Sequence, residues 1–235
     1  ALEIKRSLGI RRGKNDAVDA LRIAEYAYIR RESISLSHKP SDVIFQLRAL
    51  LGERKQYVRM RAAILARKDA LHQYESKESI DRREEIIDKY AEYIASVDKQ
   101  MRGLMEHDDE MKRNYELISS VKGIGLVNAI NTLVYTNNFT SFQTPRQYAC
   151  YCGIAPFEHT SGMSIKGRTA VSKMGNHQLK CELTMAARSA IIHDPWMKQY
   201  YKRKMMSKGN APGAHGIVLN AIKFKLIVRM FSVVK

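Results

Sequence analysis

The 235-residue chain lacks any long uninterrupted apolar segment. Its most apolar stretch, at the C-terminus, is interrupted by Lys223, Lys225 and Arg229, whereas a membrane-spanning helix needs about 20 consecutive apolar residues. Cysteine is also rare, and the three that occur cannot all pair with one another. The sequence therefore excludes a membrane span and a disulfide scaffold, and it favours the reducing environment of the cytoplasm.

Acidic residues are scarce in the C-terminal half. Residues 117–235 contain 16 Lys and Arg but only three Asp and Glu, whereas residues 1–116 contain 24 and 21. The whole chain has a formal net charge of +16, so most of the excess lies in the second half. Such an excess points to a polyanionic partner, either nucleic acid or an anionic membrane face. A balanced N-terminal half is typical of solvated helices.

Proline is absent from residues 41–116, and the only glycines there are Gly52 and Gly103. Apolar residues recur in this segment at heptad spacing. The columns are Val43, Leu50, Tyr57, Ile64 and Leu71; Ile44, Leu51, Val58 and Leu65; Ile80, Ile87, Ile94 and Met101; and Tyr90, Val97, Leu104 and Met111. This pattern predicts two long helices, either folded into an antiparallel coiled-coil hairpin or paired with another chain. A plain helical bundle is the alternative.

Two carboxylates begin the first predicted helix, which covers about residues 15–27. Asp16 and Asp19 are three residues apart, so their side chains share one helix face. Two such oxygen ligands suit half of a Mg²⁺ site, and the alternative is ordinary acidity that complements the helix dipole. Apolar residues cover most of this helix, which predicts packing on more than one side.

A glycine-rich turn separates two apolar helical segments within residues 117–135. Its sequence is Lys122-Gly123-Ile124-Gly125, and it looks like the hairpin of helix-hairpin-helix modules that grip the DNA backbone. Glycines allow backbone N–H groups at a helix N-terminus to receive a phosphate, so Lys122, Gly123 and Gly125 are candidate DNA contacts. The alternative is a packing turn between two helices.

A polar loop is predicted for residues 156–175. Ser161 stands there beside a glycine, and Lys166, Arg168 and Lys173 follow it. A serine flanked by cations suits nucleophilic attack at a phosphate, because the cations stabilise charge on phosphoryl oxygens. The alternative is a flexible loop that contacts phosphate through these cations while its serines only donate hydrogen bonds.

Two further features are interpreted as structural. Five side chains could be imagined as zinc ligands: Cys150, Cys152, His159, His177 and Cys181. Their spacing matches no ordinary ligand pattern, so no zinc is expected. The single tryptophan, Trp196, either stacks on a base or packs against the protein, and packing is favoured.

In their order along the chain, these features resemble one family, the transposases of insertion sequences of the one-ten/one-sixteen type. These are bridge-RNA-guided DEDD-serine recombinases. The resemblance is carried by residues 12–20 (RGKNDAVDA), 121–125 (VKGIG), 139–142 (FTSF), 148–156 (YACYCGIAP), 161–162 (SG) and 172–176 (SKMGN). It departs from the family pattern at Asn15, where the family usually has Thr.

The resemblance implies a mostly α protein with three parts. Residues 1–38 would be the C-terminal part of a RuvC-like domain of the ribonuclease H fold, and residues 41–116 would be a coiled coil. Residues 117–235 would be a helical transposase domain that contains a helix-hairpin-helix element and a nucleophilic serine loop.

The resemblance also implies a split active site. Asp16 and Asp19 would be the last two carboxylates of a DEDD quartet that holds Mg²⁺. Ser161 would be the nucleophile that joins covalently to a DNA phosphate, with Ser164 and Thr160 as open alternatives. The family's first Asp and Glu precede everything in this sequence. The chain is therefore expected to be truncated, to be unable to cut DNA alone and still to bind nucleic acid.

The implied partners are DNA at insertion-sequence ends and targets, a guide RNA, and further copies of the chain, in a dimer or tetramer formed through the coiled coil. The implied location is the cytoplasm, in association with the nucleoid, and no membrane partner is expected. Two other functions stay open. One is a non-catalytic DNA- or RNA-binding module, and the other is a helical scaffold whose charge only keeps it soluble.

Overall fold

A computed structural model describes residues 16–32, 39–71, 74–157, 160–161, 165–166, 170–171, 174–209 and 211–235. For residues 67–71, 160–161, 165–166 and 170, only the backbone is described. The chain divides into two compact units, residues 1–39 and residues 40–235. The described residues are mostly helical, as the sequence predicts.

The first unit contains helix α1, Asp16–Ile29. None of its residues is buried, and Leu21, Tyr28 and Ile29 are among its large exposed apolar side chains. Within the first unit, the described residues therefore do not bury the apolar side chains of this helix.

Helices α2, Asp42–Leu71, and α3, Lys77–Glu106, open the second unit and lie antiparallel. The Arg54 guanidinium Nε is 2.6 Å from Asp98 Oδ1 across the pair, and further along the Arg61 Nε donates to the Ile87 carbonyl at 3.4 Å. The contact partners of α2 at residues 54 and 61 are residues 98 and 87 of α3, so the two helices run in opposite directions.

The heptad columns describe only the beginning of the contact made by α2. Its buried side chains are Ile44, Leu47 and Leu51, of which Leu47 lies in neither predicted column. Further along the second column, Val58 is 40% exposed and Leu65 is 36% exposed. A strict seven-residue column drifts about 20° per heptad around a straight helix, so it rotates out of a seam that does not supercoil with it.

The segment 41–116, predicted as one coiled coil, is interrupted after α3. The Asp108 carboxylate accepts a hydrogen bond from the Met111 backbone N–H at 2.9 Å and caps a new helix, α4, Asp109–Ser119. An Asp that caps a helix start favours a break over continuation. The last part of the predicted arm therefore belongs to the C-terminal bundle.

The remaining helices form that bundle around one apolar core. They are α5, Leu126–Thr136; α6, Pro145–Tyr151; α7, His177–His193; α8, Pro195–Lys208; and α9, Ala214–Val234. Helix α9 is central because it packs against α4, α6, α7 and α8, burying residues such as Ile222, Leu226 and Ile227. No described helix combines the length and apolarity that crossing a membrane requires.

Residues 156–175, predicted as a polar loop, contain two two-stranded antiparallel pairs, which we together call the ribbon. Its strands are β1, Pro156–Phe157; β2, Thr160–Ser161; β3, Ile165–Lys166; and β4, Ala170–Val171. Strand β1 pairs antiparallel with β4, and β2 pairs antiparallel with β3. Two-residue strands carry too little periodicity to be seen in a sequence, which is why the loop prediction was wrong here.

Candidate nucleic-acid interface and active site

The predicted glycine hairpin is the turn between α4 and α5. Gly125 is the N-cap residue of α5 in an extended conformation, and no side chain caps the helix. Lys122 is exposed in the same turn. An uncapped helix N-terminus offers backbone N–H groups and a partial positive charge, the two properties that a phosphate needs.

The two glycines of this turn differ in their surroundings. Gly123 has φ of +99°, and a Cβ there would lie 2.7 Å from Ala190 Cβ and 2.9 Å from the Ala186 carbonyl oxygen. A Cβ on Gly125 would meet nothing within 4 Å. Gly123 is therefore required to pack the turn on α7, whereas only the face of Gly125 is open to a partner.

Ser161 is the last residue of β2 and pairs with Ile165 of β3. Ser161 and Ile165 are the outermost described pair, which we call the tip of the ribbon. Residues 162–164, Arg168 and Lys173 lie outside the described residues. Only the backbone is described for Ser161 and Lys166. The serine is thus located by its backbone, at the tip of an antiparallel ribbon.

The base of the ribbon is fixed by a contact between two glycines. A Cβ on Gly175 would overlap the Cα and N atoms of Gly153, which itself has φ of +65°. The Asn176 N–H then donates to the Tyr151 carbonyl at 2.8 Å, and its side chain caps α7. The chain entering the ribbon and the chain leaving it are therefore held in backbone contact.

Asp16 and Asp19 lie in the first turn of α1, as predicted. Asp16 is exposed, and one oxygen of Asp19 is 3.5 Å from Arg22 Nη1. The donor chemistry, carboxylate oxygen, fits Mg²⁺. Among the described residues, no group of three or more His, Cys, Asp or Glu could hold a metal, so these two supply at most part of a site.

The cysteines are dispersed in the structure. Cys152 is buried, and burial raises the pKa of its thiol to about 12, which makes it unreactive at neutral pH. Cys181 is exposed, with its Sγ 3.6 Å from Nδ1 of His177. His159 lies outside the described residues.

Two family profiles match separate parts of the chain. The profile described as Transposase IS116/IS110/IS902 family matches residues 115–202, which include the glycine hairpin and Ser161. A second transposase profile, of the DEDD type of IS110, matches residues 2–74, which include Asp16 and Asp19. Together the two matches cover segments from both the N-terminal and the C-terminal half of the chain. The chain belongs to the IS110 transposase family.

Named relatives match between half and nearly all of this chain. It is 28% identical over 230 residues to the pilin gene-inverting protein of Moraxella bovis, which covers 98% of this chain and 68% of that protein. The pilin gene-inverting protein of Moraxella lacunata matches equally. An uncharacterized 43.6 kDa protein of insertion element IS110 from Streptomyces coelicolor is 31% identical over 122 residues, 51% of this chain and 30% of its own length.

Sequence reasoning missed an aromatic and ionic network between α8 and α9. Trp196, expected to pack, is 48% exposed and stacks on Tyr200, with ring centroids 5.6 Å apart. The Asp194 carboxylate accepts hydrogen bonds from the backbone N–H of Trp196 at 2.9 Å and from Arg229 Nη1 at 2.5 Å. The Arg229 guanidinium lies 4.9 Å from the centroid of the indole ring. The signal in the sequence was the spacing of four between Trp196 and Tyr200, which aligns two rings on one helix face.

Asp194 is nearly buried and ionised in this network. Burial acts to raise the pKa of its carboxyl, but hydrogen bonds from Arg229 and from the backbone N–H groups of Trp196 and Met197 outweigh that effect and lower the pKa. The ionised form is therefore the one that the fold stabilises. Because Asp194 caps α8 and holds Arg229, it fixes the position of Trp196.

We expect Asp194→Asn to lower the free energy of unfolding by about 1.5 kcal/mol at pH 7, because the amide still caps α8 but loses the charged bond to Arg229. The folded-state pKa is lowered, so this stabilisation is complete above about pH 3.9 and is lost as the pH falls through the folded-state value. Urea unfolding at pH 7 and at low pH measures the difference between variant and wild type, which should shrink in acid.

The matched control is Glu92→Gln, which breaks an exposed ion pair with Lys89 at 2.8 Å. It should change stability by no more than about 0.5 kcal/mol. An Asp194→Asn effect that is no larger than the control, or that is constant with pH, would contradict the assigned role.

Proposed function

We propose that this chain acts in the recombinase of an insertion sequence, an enzyme that cuts and rejoins DNA through a covalent link between Ser161 and a DNA phosphate. Family membership supplies the general activity. The observation that carries the finer proposal is the position of Ser161 at the tip of a ribbon whose base is held by the contact of Gly153 with Gly175. A serine at the end of a paired strand has a backbone fixed by its neighbour, which favours a defined approach to a DNA phosphate.

The proposed reaction is an exchange of phosphate esters. The Ser161 Oγ loses its proton and forms a bond to phosphorus, while the bond from phosphorus to a sugar oxygen breaks and that oxygen gains a proton. A sugar hydroxyl of another strand then reverses the step and releases the serine. The numbers of P–O bonds and protons are unchanged, so no oxidant, reductant or nucleotide cofactor is needed.

In this proposal Asp16 and Asp19 hold part of a Mg²⁺ site. A bound Mg²⁺ would supply charge stabilisation to the phosphoryl oxygens. The residues of the chain contribute the oxygen ligands, and Arg22 orients Asp19 through one of its two oxygens. The cations Lys166, Arg168 and Lys173 would contact the DNA backbone near Ser161.

Recombination also requires partners. We propose duplex DNA at the insertion-sequence ends and target, a guide RNA that supplies sequence specificity, and a dimer or tetramer formed through α2 and α3, acting at the nucleoid in the cytoplasm. The net charge of residues 117–235 supports a nucleic-acid partner for the C-terminal bundle.

The hairpin contact with duplex DNA is tested by Gly125→Asp. Asp is a good N-cap residue, so the fold should be as stable as wild type, but the added carboxylate occupies the N-terminus of α5 and repels phosphate. We expect about tenfold weaker binding of a fluorescent duplex to the 235-residue chain at low salt, measured by anisotropy.

Gly125→Ser is the matched control, since serine caps the helix without adding charge. It should bind within about threefold of wild type. Gly123→Ala, by contrast, should lose stability through its positive φ and its contact with α7. Wild-type affinity in Gly125→Asp would show that the hairpin does not contact DNA.

The experiment that tests the function uses cells that carry an intact insertion sequence encoding this chain. Amplification across the vacated site should detect rejoined flanking DNA when the protein is expressed. It should detect none when an early stop codon is placed in the coding sequence. No rejoined DNA despite tight duplex binding by the protein would favour the non-catalytic binding module instead.

A further inference from the structure

A large groove runs between α7, α8 and α9, on a different face of α7 from the glycine hairpin. Its volume is about 1370 Å³, larger than the roughly 300–1,000 Å³ of small-molecule pockets. Lys180 and Thr184 of α7 line it, whereas Ala186 and Ala190, which contact Gly123, point to another side of the helix. The groove is therefore separate from the proposed duplex contact, and its size suits a polymer.

The described side chains that line the groove carry an excess of positive charge. The described residues that line it include six cations and no Asp or Glu: Arg146, Lys180, Lys208, Lys223, Lys225 and Arg229. Arg229 is already paired with Asp194, which leaves a net positive surface. A groove lined by charge of one sign attracts a polyanion.

A buried lysine lies in the groove wall. Lys223 is only 5% exposed, and its Nζ donates to the Thr184 hydroxyl at 3.2 Å. No carboxylate among the described residues pairs with it. Burial, followed by the charge of Lys180, lowers the pKa of this ammonium, and a bound anion would oppose both effects. An ammonium with unused donors is the expected partner of a phosphate.

An aromatic platform borders the same groove. Trp196 is 48% exposed and stacks on Tyr200 with ring planes inclined by only 6°, so the stack presents an exposed aromatic surface. Lys225 Nζ lies 5.0 Å from the Trp196 centroid and 4.7 Å from the Tyr200 centroid. Flat aromatic surfaces beside cations are the combination by which proteins hold unpaired bases and their phosphates.

We infer that this groove binds an unpaired segment of DNA strand, with a base against Trp196 and Tyr200 and phosphates at Lys225 and Lys223. A duplex hides its base faces, so only an unpaired base can use the platform. The inference rests on the proposed function, because strand exchange leaves strands unpaired near the protein.

DNA is favoured over RNA by the neutral polar groups of the groove. The Asn220 amide donates to the Ile154 carbonyl at 2.7 Å. The Thr184 hydroxyl donates to the Lys180 carbonyl at 2.7 Å and accepts from Lys223. These groups are engaged within the protein, which leaves them poorly placed to read a ribose 2′-hydroxyl.

The test uses the fluorescence of Trp196, the only tryptophan of the chain. A twelve-nucleotide oligo-dT titrated into the 235-residue protein should quench that emission to saturation, because a stacked base contacts the indole directly. A duplex of the same length should quench it at least about tenfold less effectively, since its bases are already stacked.

Two variants separate the groove from general electrostatics. Lys225→Gln should weaken oligo-dT binding by about tenfold, and Lys198→Gln, an exposed position on α8 outside the groove, should change it less than about twofold. Trp196→Phe keeps a stacking ring and should bind more tightly than Trp196→Leu, as followed by anisotropy of labelled oligo-dT. Circular dichroism establishes that each variant is folded.

Several results would overturn the inference: binding without quenching, equal quenching by the duplex, equal losses in Lys225→Gln and Lys198→Gln, or tighter binding of oligo-U than of oligo-dT. The Gly125→Asp variant should keep the quenching while it loses duplex affinity. Oligo-dT quenching tests the groove and duplex affinity tests the glycine hairpin. Absence of only one of these two binding signals in the wild-type protein therefore shows which proposal has failed.

Discussion

Ser161→Ala is expected to reduce excision of the insertion sequence by at least about a thousandfold, to below detection in the assay for rejoined DNA. Removal of the hydroxyl leaves no atom to form the bond to phosphorus, and loss of a covalent nucleophile typically costs that much or more. Ser161 is the last residue of β2, where alanine is compatible with the backbone, so the ribbon should keep its pairing. Duplex binding by the 235-residue chain should stay within about twofold of wild type.

Two neighbouring hydroxyls provide the controls for this prediction. Thr160→Val and Ser164→Ala each remove a hydroxyl close to Ser161 in the sequence and should retain excision within about tenfold of wild type, because neither oxygen is the proposed nucleophile. Abolished excision in Ser164→Ala with activity retained in Ser161→Ala would move the covalent link to Ser164. Equal activity in all three variants would refute a serine link.

Gly175→Ala is expected to lower the free energy of unfolding by about 3 kcal/mol. A Cβ at this position would overlap the backbone of Gly153, and no rotamer change can relieve a clash with backbone atoms. The base of the ribbon would have to open, which also displaces Ser161. We therefore expect excision to fall at least about a hundredfold at temperatures where the variant is still folded, since misplacement by about 1 Å costs that much.

Gly52→Ala is the matched control for this substitution. Gly52 is exposed within α2, and a Cβ there would meet nothing within 4 Å. It should stabilise the protein by about 0.5–1 kcal/mol, because alanine loses less backbone entropy in a helix. Urea unfolding of both variants gives the comparison. A Gly175→Ala variant as stable as wild type would contradict the backbone contact at the base of the ribbon.

Much of the helical framework could be read from the sequence because it is encoded locally. Gly125 marks the start of α5 and Pro145 marks the start of α6, and such helix-start signals act within a few residues. The break after α3 also has a local signal, because Asp108 is a typical N-cap residue. The apolar heptad column that continues to Met111 obscured this signal. The exposure of Val58 and Leu65 could not be predicted, because it depends on whether two helices supercoil.

The mainly helical class, the excess of cations in residues 117–235 and the order of motifs typical of the transposase family follow from residue type and spacing along the chain. Which residues meet depends on the three-dimensional packing. Only the fold brings Gly175 against Gly153, Gly123 against Ala190, and Arg229 beside Trp196, because these partners are 22 to 67 residues apart in sequence. Packing brings such distant residues together, and no local pattern records it.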